Sequence, residues 1–112
     1  MTADEFRKLA LSFPKAVEMS HMNHPDFRVG GKIFATIWPD DNWGMVKLIV
    51  EQQASFIKAE PKVFQPIKGY WGKKGATSVN LRAAKKGSVM KALEMAWRNT
   101  APKKLVREFD GG

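Results

Sequence analysis

The chain predicts an α+β domain of two layers, in the order α-β(3)-α-β(2)-α, with an antiparallel sheet covered by helices on one face. Three observations predict it. Gly30-Gly31 and Pro39-Asp40-Asp41-Asn42 are turn signals set between short apolar runs at hairpin spacing. Helix-period apolar stripes lie before and after those runs. The helices fall singly between groups of strands, an order that belongs to α+β folds.

The first helix is expected from Ala3 to about Ser12. Thr2 and Glu5 form a capping-box pattern, and Phe6, Leu9, Ala10 and Phe13 recur on one face before Pro14 stops the helix. Glu18–Met22 reads as a short extended segment, and His24-Pro25 leads into the sheet. Phe27–Val29 and Lys32–Phe34 flank Gly30-Gly31, where a type I′ turn needs φ > 0 at both central residues. Lys32–Trp38 and Trp43–Leu48 flank the second turn, which gives three antiparallel strands in a row. Strict alternation sends Ile33, Ala35 and Ile37, with Val46 and Leu48, toward the helices. It sends Phe34, Thr36 and Trp38 to the other face, partly exposed or under loops.

The second helix is expected from about Glu51 to Ala59, with Val50, Ala54 and Ile57 on one face and Pro61 beyond its end. Residues 60–76 form a long connection holding Lys68-Gly69-Tyr70-Trp71-Gly72-Lys73-Lys74-Gly75, and a loop of that length is functional or mobile more often than idle. Thr77–Leu81 reads as a strand. Ser88 is the expected N-cap of the third helix, which buries Val89, Leu93, Ala96 and Trp97 and ends before Pro102. The organisation is one domain over residues 1–105, loosening from Lys103 into a flexible tail at 106–112.

Composition narrows the function classes. A chain of 112 residues is one domain's worth and can bury roughly 65% of its unfolded surface. It has no cysteine, which excludes disulfides and thiolate chemistry and is compatible with a reducing compartment. The N-terminal residues lack a signal-peptide pattern, and no apolar run is long enough to span a membrane. A cytoplasmic protein without membrane association is expected. The net charge of +8 is uneven: residues 1–56 carry six Lys/Arg against seven Asp/Glu, and residues 57–107 carry thirteen against two. A basic half beside a neutral half points to an anionic partner, unless the lysines are simply a solubilising surface.

No catalytic motif emerges. His21 and His24, even with Asp26, do not match a zinc pattern, so no metal is expected; His21 is read as a hydrogen-bonded structural residue and His24 as a surface one. Ser20 and His21 are neighbours in an extended segment and point to opposite faces, so no nucleophile is set beside a base. Gly69–Gly75 is no Walker loop, yet its backbone N–H groups with Lys73 and Lys74 can meet phosphate, and Tyr70 and Trp71 can stack on bases. For Trp71, packing into the core is the preferred reading. Arg28 and Lys32, beside the Gly30-Gly31 tip, can act as a basic wing or merely protect a sheet edge.

Three blocks resemble the MmcQ/YjbR-like family. They are Glu18-x-x-His21 with Pro25-x-Phe27-Arg28-Val29-x-Gly31-Lys32-Ile33-Phe34-Ala35; Gly69-x-Trp71-Gly72-x-x-Gly75-x-Thr77-x-Val79-x-Leu81; and Ala96-Trp97 with Ala101-Pro102-Lys103-Lys104. The resemblance covers about residues 2–105. It implies the same α-β(3)-α-β(2)-α order, in a double-wing arrangement, and a function predicted as DNA binding, with no catalytic residues to carry over. Met22 departs from a position where the family commonly has an aromatic, and Ala76 from one where it often has tryptophan, which removes a stacking ring. The expectation is a non-enzymatic, cofactor-free nucleic-acid-binding domain. Its contacts would be Arg28, Lys32, Lys68, Lys73, Lys74 and Arg82, with Trp38, Tyr70 and Trp71 as stacking or ligand-contact residues. The alternative is a protein-interaction or small-ligand module using an exposed aromatic sheet face.

Overall fold

The computed structural model describes residues 1–111, and across these the chain builds one antiparallel sheet with helices packed on one side. The strands are β1 (Val17–His21), β2 (His24–Val29), β3 (Lys32–Trp38), β4 (Trp43–Lys47), β5 (Phe64–Pro66) and β6 (Ala76–Asn80). Their spatial order is β1-β2-β3-β4-β6-β5. The helices are α1 (Ala3–Leu11), α2 (Val50–Ala59), the single turn α3 (Tyr70–Lys73), α4 (Lys86–Thr100) and α5 (Lys103–Phe109). The predicted class holds, with one strand more at the front, the single turn α3 between β5 and β6, and α5 after α4. Val17–His21 pairs with β2 in register His21↔His24 and Val17↔Arg28.

That added strand turns on Met22 and Asn23, with φ of 50° and 68°. It is a two-residue hairpin of the same left-handed kind as Gly30-Gly31, where φ is 59° and 79°. The glycine version is readable from sequence. The Met-Asn version is not, because methionine adopts φ > 0 only at a conformational cost. The Gly30 tip does not project freely: a Cβ there would lie 3.1 Å from Pro102 Cδ.

The core forms between the sheet and α1, α2 and α4. Phe6, Phe27, Phe34, Val46, Phe64, Val79, Leu81, Leu93 and Trp97 are all fully buried in it. The Trp97 indole N–H donates to the Pro14 carbonyl at 3.0 Å, tying α4 to the end of the first helical segment. The Thr2–Glu5 capping box is present. Helix α4 starts earlier than predicted, with Lys85 rather than Ser88 at the cap position and no side-chain capping bond.

Two further expectations are corrected. Strict alternation in β3 fails, because the register moves from Phe27↔Ala35 to Arg28↔Ile33 and leaves Phe34 as the extra residue of a β-bulge. The bulge resets the parity, so Phe34 joins Ala35 and Ile37 in the core while Ile33 turns to the open face. Of the expected flexible tail at 106–112, residues through Phe109 lie in helix α5, and Gly112 lies outside the described residues. After Ala101-Pro102 the chain re-enters a helix that folds back on α4. Phe109 lies 5.0 Å from the Trp97 ring and 6.3 Å from Phe13, and Arg98 holds Asp110 with two hydrogen bonds of 3.0 and 2.6 Å.

Candidate functional site

Pairing register sorts the residues of the open face, since directly paired residues share a side. Met19, Asp26, Thr36, Met45, Ser78 and Gln65 form one row across all six strands. His21 and His24 form the start of a second row, with Trp38 paired to Trp43, and Lys47 pairs with Ala76 on the far side. Among the described residues, no long helix packs flat on this side. Instead the β1–β2 turn borders it on one flank, and the segment from Ile67 through α3 on the other.

Between those flanks lies a pocket of about 470 Å³, floored by Ile33, Thr36 and Met45 and bordered by His24, Trp38 and Trp71 among others. One wall is a ladder of rings. His21 and His24 are 4.4 Å apart, His24 and Trp38 4.3 Å, and Trp38 and Trp43 3.9 Å with nearly parallel planes. Trp38 is therefore engaged with protein rings on its neighbouring strands rather than displayed for stacking.

Asp26 anchors the ladder. It is fully buried, accepts from His21 Nδ1 at 2.6 Å, and takes two bonds from Arg28, from Nε at 2.8 Å and an Nη at 3.1 Å. The Arg28 guanidinium, helped by His21, holds the Asp26 carboxyl below its ordinary pKa, against the burial that pushes it up. His21 is hydrogen-bonded, as the sequence reading expects. His24 is half-buried rather than freely exposed: its Nδ1 is buried, as is Thr36 Oγ1, and neither has a hydrogen-bond partner among the described residues. An unpaired buried polar group costs about 1–3 kcal/mol, and two of them border one pocket.

A second depression, of about 300 Å³, wraps round the adjacent end of the sheet. Lys32, Lys47, Lys74, Trp71, Asn99 and Thr100 border it, and it shares Lys47, Trp71 and Ala76 with the aromatic pocket. Its base is cross-linked: the Asn99 amide donates to the Lys47 carbonyl at 3.2 Å and to Gln52 Oε1 at 2.7 Å. Trp71 stands on the rim with the Tyr70 ring 5.3 Å from its own, and they are 65% and 64% exposed, so Trp71 does not pack into the core. The Lys74 ammonium lies 5.5 Å from the Tyr70 ring centroid.

The segment carrying these rings is held firmly. The amide of buried Gln53 on α2 donates to the carbonyls of Gly72 and Ala76, both at 3.0 Å. Thr77 Oγ1 donates to the Gly75 carbonyl at 2.8 Å. A Cβ at Gly72 would fall 1.6 Å from the Ile67 carbonyl oxygen, and one at Gly75 2.0 Å from that of Leu48. These glycines permit close backbone approach; they do not leave the loop slack.

The predicted cations divide. Lys32 and Lys74 come together, and the sequence reading missed Lys47 between them. Lys68 and Lys73 are exposed, and neither borders that second depression. Arg28 is committed to Asp26. Arg82 follows the Asn80↔Trp43 end of the sheet, opposite the Lys47↔Ala76 end. Thr36, Met45 and His24 are not among the expected site residues; the alternation Trp43, Met45, Lys47 in β4 is the available signal for a shared face.

The sequence model of the YjbR family matches residues 11–99. This chain belongs to the YjbR family. No curated protein matches it. The crystal structure of Deinococcus radiodurans protein DR2400, a DUF419 domain, is similar with a TM-score of 0.76 at 16% identity, covering 97% of this chain and 88% of that one. At that identity the likeness speaks to the fold alone. Among the described residues of this YjbR domain, no helix is long and apolar enough to cross a membrane.

Proposed function

We propose that this YjbR domain is a non-enzymatic nucleic-acid-binding module that takes single strands on the open face of its sheet. The observation that carries the reading is the shared border of Lys32, Lys47 and Lys74 with the exposed Trp71 at one end of that face. Lysines neutralise phosphates, and exposed aromatic rings stack on bases that are not already paired. A duplex offers phosphates but keeps its base faces covered, so the aromatic rim favours a strand over a duplex. Lys68 and Lys73 are exposed on the same segment as Trp71 but do not border this depression.

The test is fluorescence anisotropy with labelled single-stranded DNA, single-stranded RNA and duplex DNA at two salt concentrations. Single strands are expected to bind more tightly than duplex, with affinity falling by a log–log slope of about −0.7 per phosphate contact. Trp71→Ala is expected to weaken strand binding by about 1–3 kcal/mol, the range for one stacked base. Equal affinity for duplex together with no effect of Trp71→Ala overturns the reading. A protein partner is the second reading, favoured by one observation: Val17 and Met19 on edge strand β1 are about half exposed, at 52% and 51%, beside the 86% exposed Met22.

A further inference from the structure

We propose that the pocket between the β1–β2 turn and α3 is a binding site for one planar nitrogen heterocycle of nucleobase size, with the attached phosphate directed to Lys47 and Lys74. Its supply as an unpaired position in a strand rests on the reading above; a free nucleotide is the other source of the same chemistry.

Four features select this ligand class. The volume of about 470 Å³ falls within the roughly 300–1,000 Å³ range of small-molecule sites. The His21–His24–Trp38–Trp43 ladder, with Ile33 and Met45, gives an apolar boundary in which adjacent aromatic rings hold one another. A flat, rigid ligand matches such a boundary at little entropic cost.

The third feature is polar. Thr36 is 3% exposed, borders the pocket and leaves its hydroxyl unpartnered among the described residues; so does His24 with its Nδ1. A hydroxyl both donates and accepts, and a neutral imidazole nitrogen does one or the other by tautomer. Both atoms are covered as the side chains stand, so a ligand edge with a ring nitrogen next to a carbonyl or amino group supplies complementary partners only once the two side chains turn toward it. An aliphatic ligand leaves both atoms unpaired. The fourth feature is charge. Lys47 borders this pocket and the basic depression alike, and that depression holds Lys32 and Lys74. The nearby carboxylate, Asp26, is buried and already paired with Arg28 and His21, so its repulsion of a phosphate is offset.

The indole N–H resonances of the full chain report on the site. The protein, ¹⁵N-labelled, is titrated with AMP, CMP, GMP and UMP, and with ribose 5-phosphate as a base-free control. At least one nucleotide should give saturable shifts at Trp38 and Trp43 and leave buried Trp97 unmoved, while ribose phosphate should not. Thr36→Val keeps the side-chain shape and removes the hydroxyl; it should weaken the preferred nucleotide by about tenfold with the Trp97 resonance intact. An oligonucleotide carrying one abasic position should lose affinity relative to its parent.

Shifts from ribose phosphate equal to those from nucleotides, no nucleotide response at Trp38 and Trp43, or full affinity in a folded Thr36→Val protein each overturn the pocket. If strands still bind through Trp71 in those cases, the single-strand reading survives alone. If nucleotides saturate the pocket and strands do not bind, the pocket stands and the strand reading falls.

Discussion

The two faces of the sheet are made by the same strands, yet they obey different rules. The helix-covered face is closed: Phe27, Phe34, Ala35, Val46 and Val79 are buried against α1 and α4, and its interior polar groups are few and paired, as Gln53 and Thr77 are. The open face keeps two unpaired buried polar atoms, a buried carboxylate, a left-handed Met-Asn turn and a rim of exposed rings. Natural sequences satisfy local rules where stability is the only demand and break them where something else is required. The closed face is the scaffold, and the departures gather on the open one.

Neighbouring residues of β3 offer the sharpest test of that division. Phe34→Ala removes a fully buried ring and should destabilise by about 3–5 kcal/mol. Ile33→Ala, one residue away on the pocket side of the bulge, removes a half-buried side chain and should cost about 1 kcal/mol. Chemical denaturation of both variants checks it. Equal losses would mean that the bulge does not divide the two residues between the faces.

Asp26 comes next, because it is the open-face residue expected to matter more for stability than Ile33. Asp26→Asn keeps the shape and removes the charge that Arg28 and His21 share, for an expected loss of about 2 kcal/mol at neutral pH. The folded pKa is depressed, so this contribution is fully present above the unfolded carboxyl value near pH 4 and is lost as pH falls through the folded pKa. Wild type and variant should differ at pH 7 and converge in acid. A constant gap from pH 7 down to pH 2 would assign the loss to packing instead.

Much of the closed face was legible in the chain, since amphipathic periodicity and a Gly-Gly turn report directly on backbone and burial. The open face was harder for identifiable reasons. A bulge has no sequence signature in Ile33-Phe34, and it inverts every inference from alternation that crosses it. A Met-Asn turn hides the first hairpin, and pairing between β1 and β2 is what brings His21 onto His24. Lys32, Lys47 and Lys74 come from three distant positions, so only the β3–β4–β6 register makes them neighbours. Trp71 looked like core because tryptophan is usually mostly buried; the Gln53 and Gly72 contacts hold its backbone at the rim instead.

The C-terminal helix tests how far the closed face extends. Phe109 is 39% exposed but lies on Trp97 and Phe13, with the Arg98 guanidinium 5.3 Å from its ring centroid. Phe109→Ala should cost about 1–2 kcal/mol, less than a full core deletion because part of the ring is already in water. Hydrogen exchange should show protected amides in residues 106–110 of wild type and loss of that protection in the variant. Unprotected amides in wild type would return this segment to the loose tail its sequence suggests.

The smallest expected stability change belongs to Lys73 and Lys74, adjacent in sequence and both exposed. Replacing either by alanine should change folding stability by less than about 0.5 kcal/mol, as for surface positions away from buried networks. Their effects on strand binding should differ. Lys74 borders the basic depression with Lys32 and Lys47, and Lys73 does not. Lys74→Ala should therefore reduce the magnitude of the log–log salt slope by about 0.7, the release from one single-strand phosphate, while weakening all sequences alike. Lys73→Ala should leave the slope within error. Salt-titrated anisotropy on the two single variants reads both numbers. Equal slope changes would spread the interface along the whole α3 segment, whereas no change in either would confine phosphate contact to Lys32 and Lys47 or remove it from this end of the sheet.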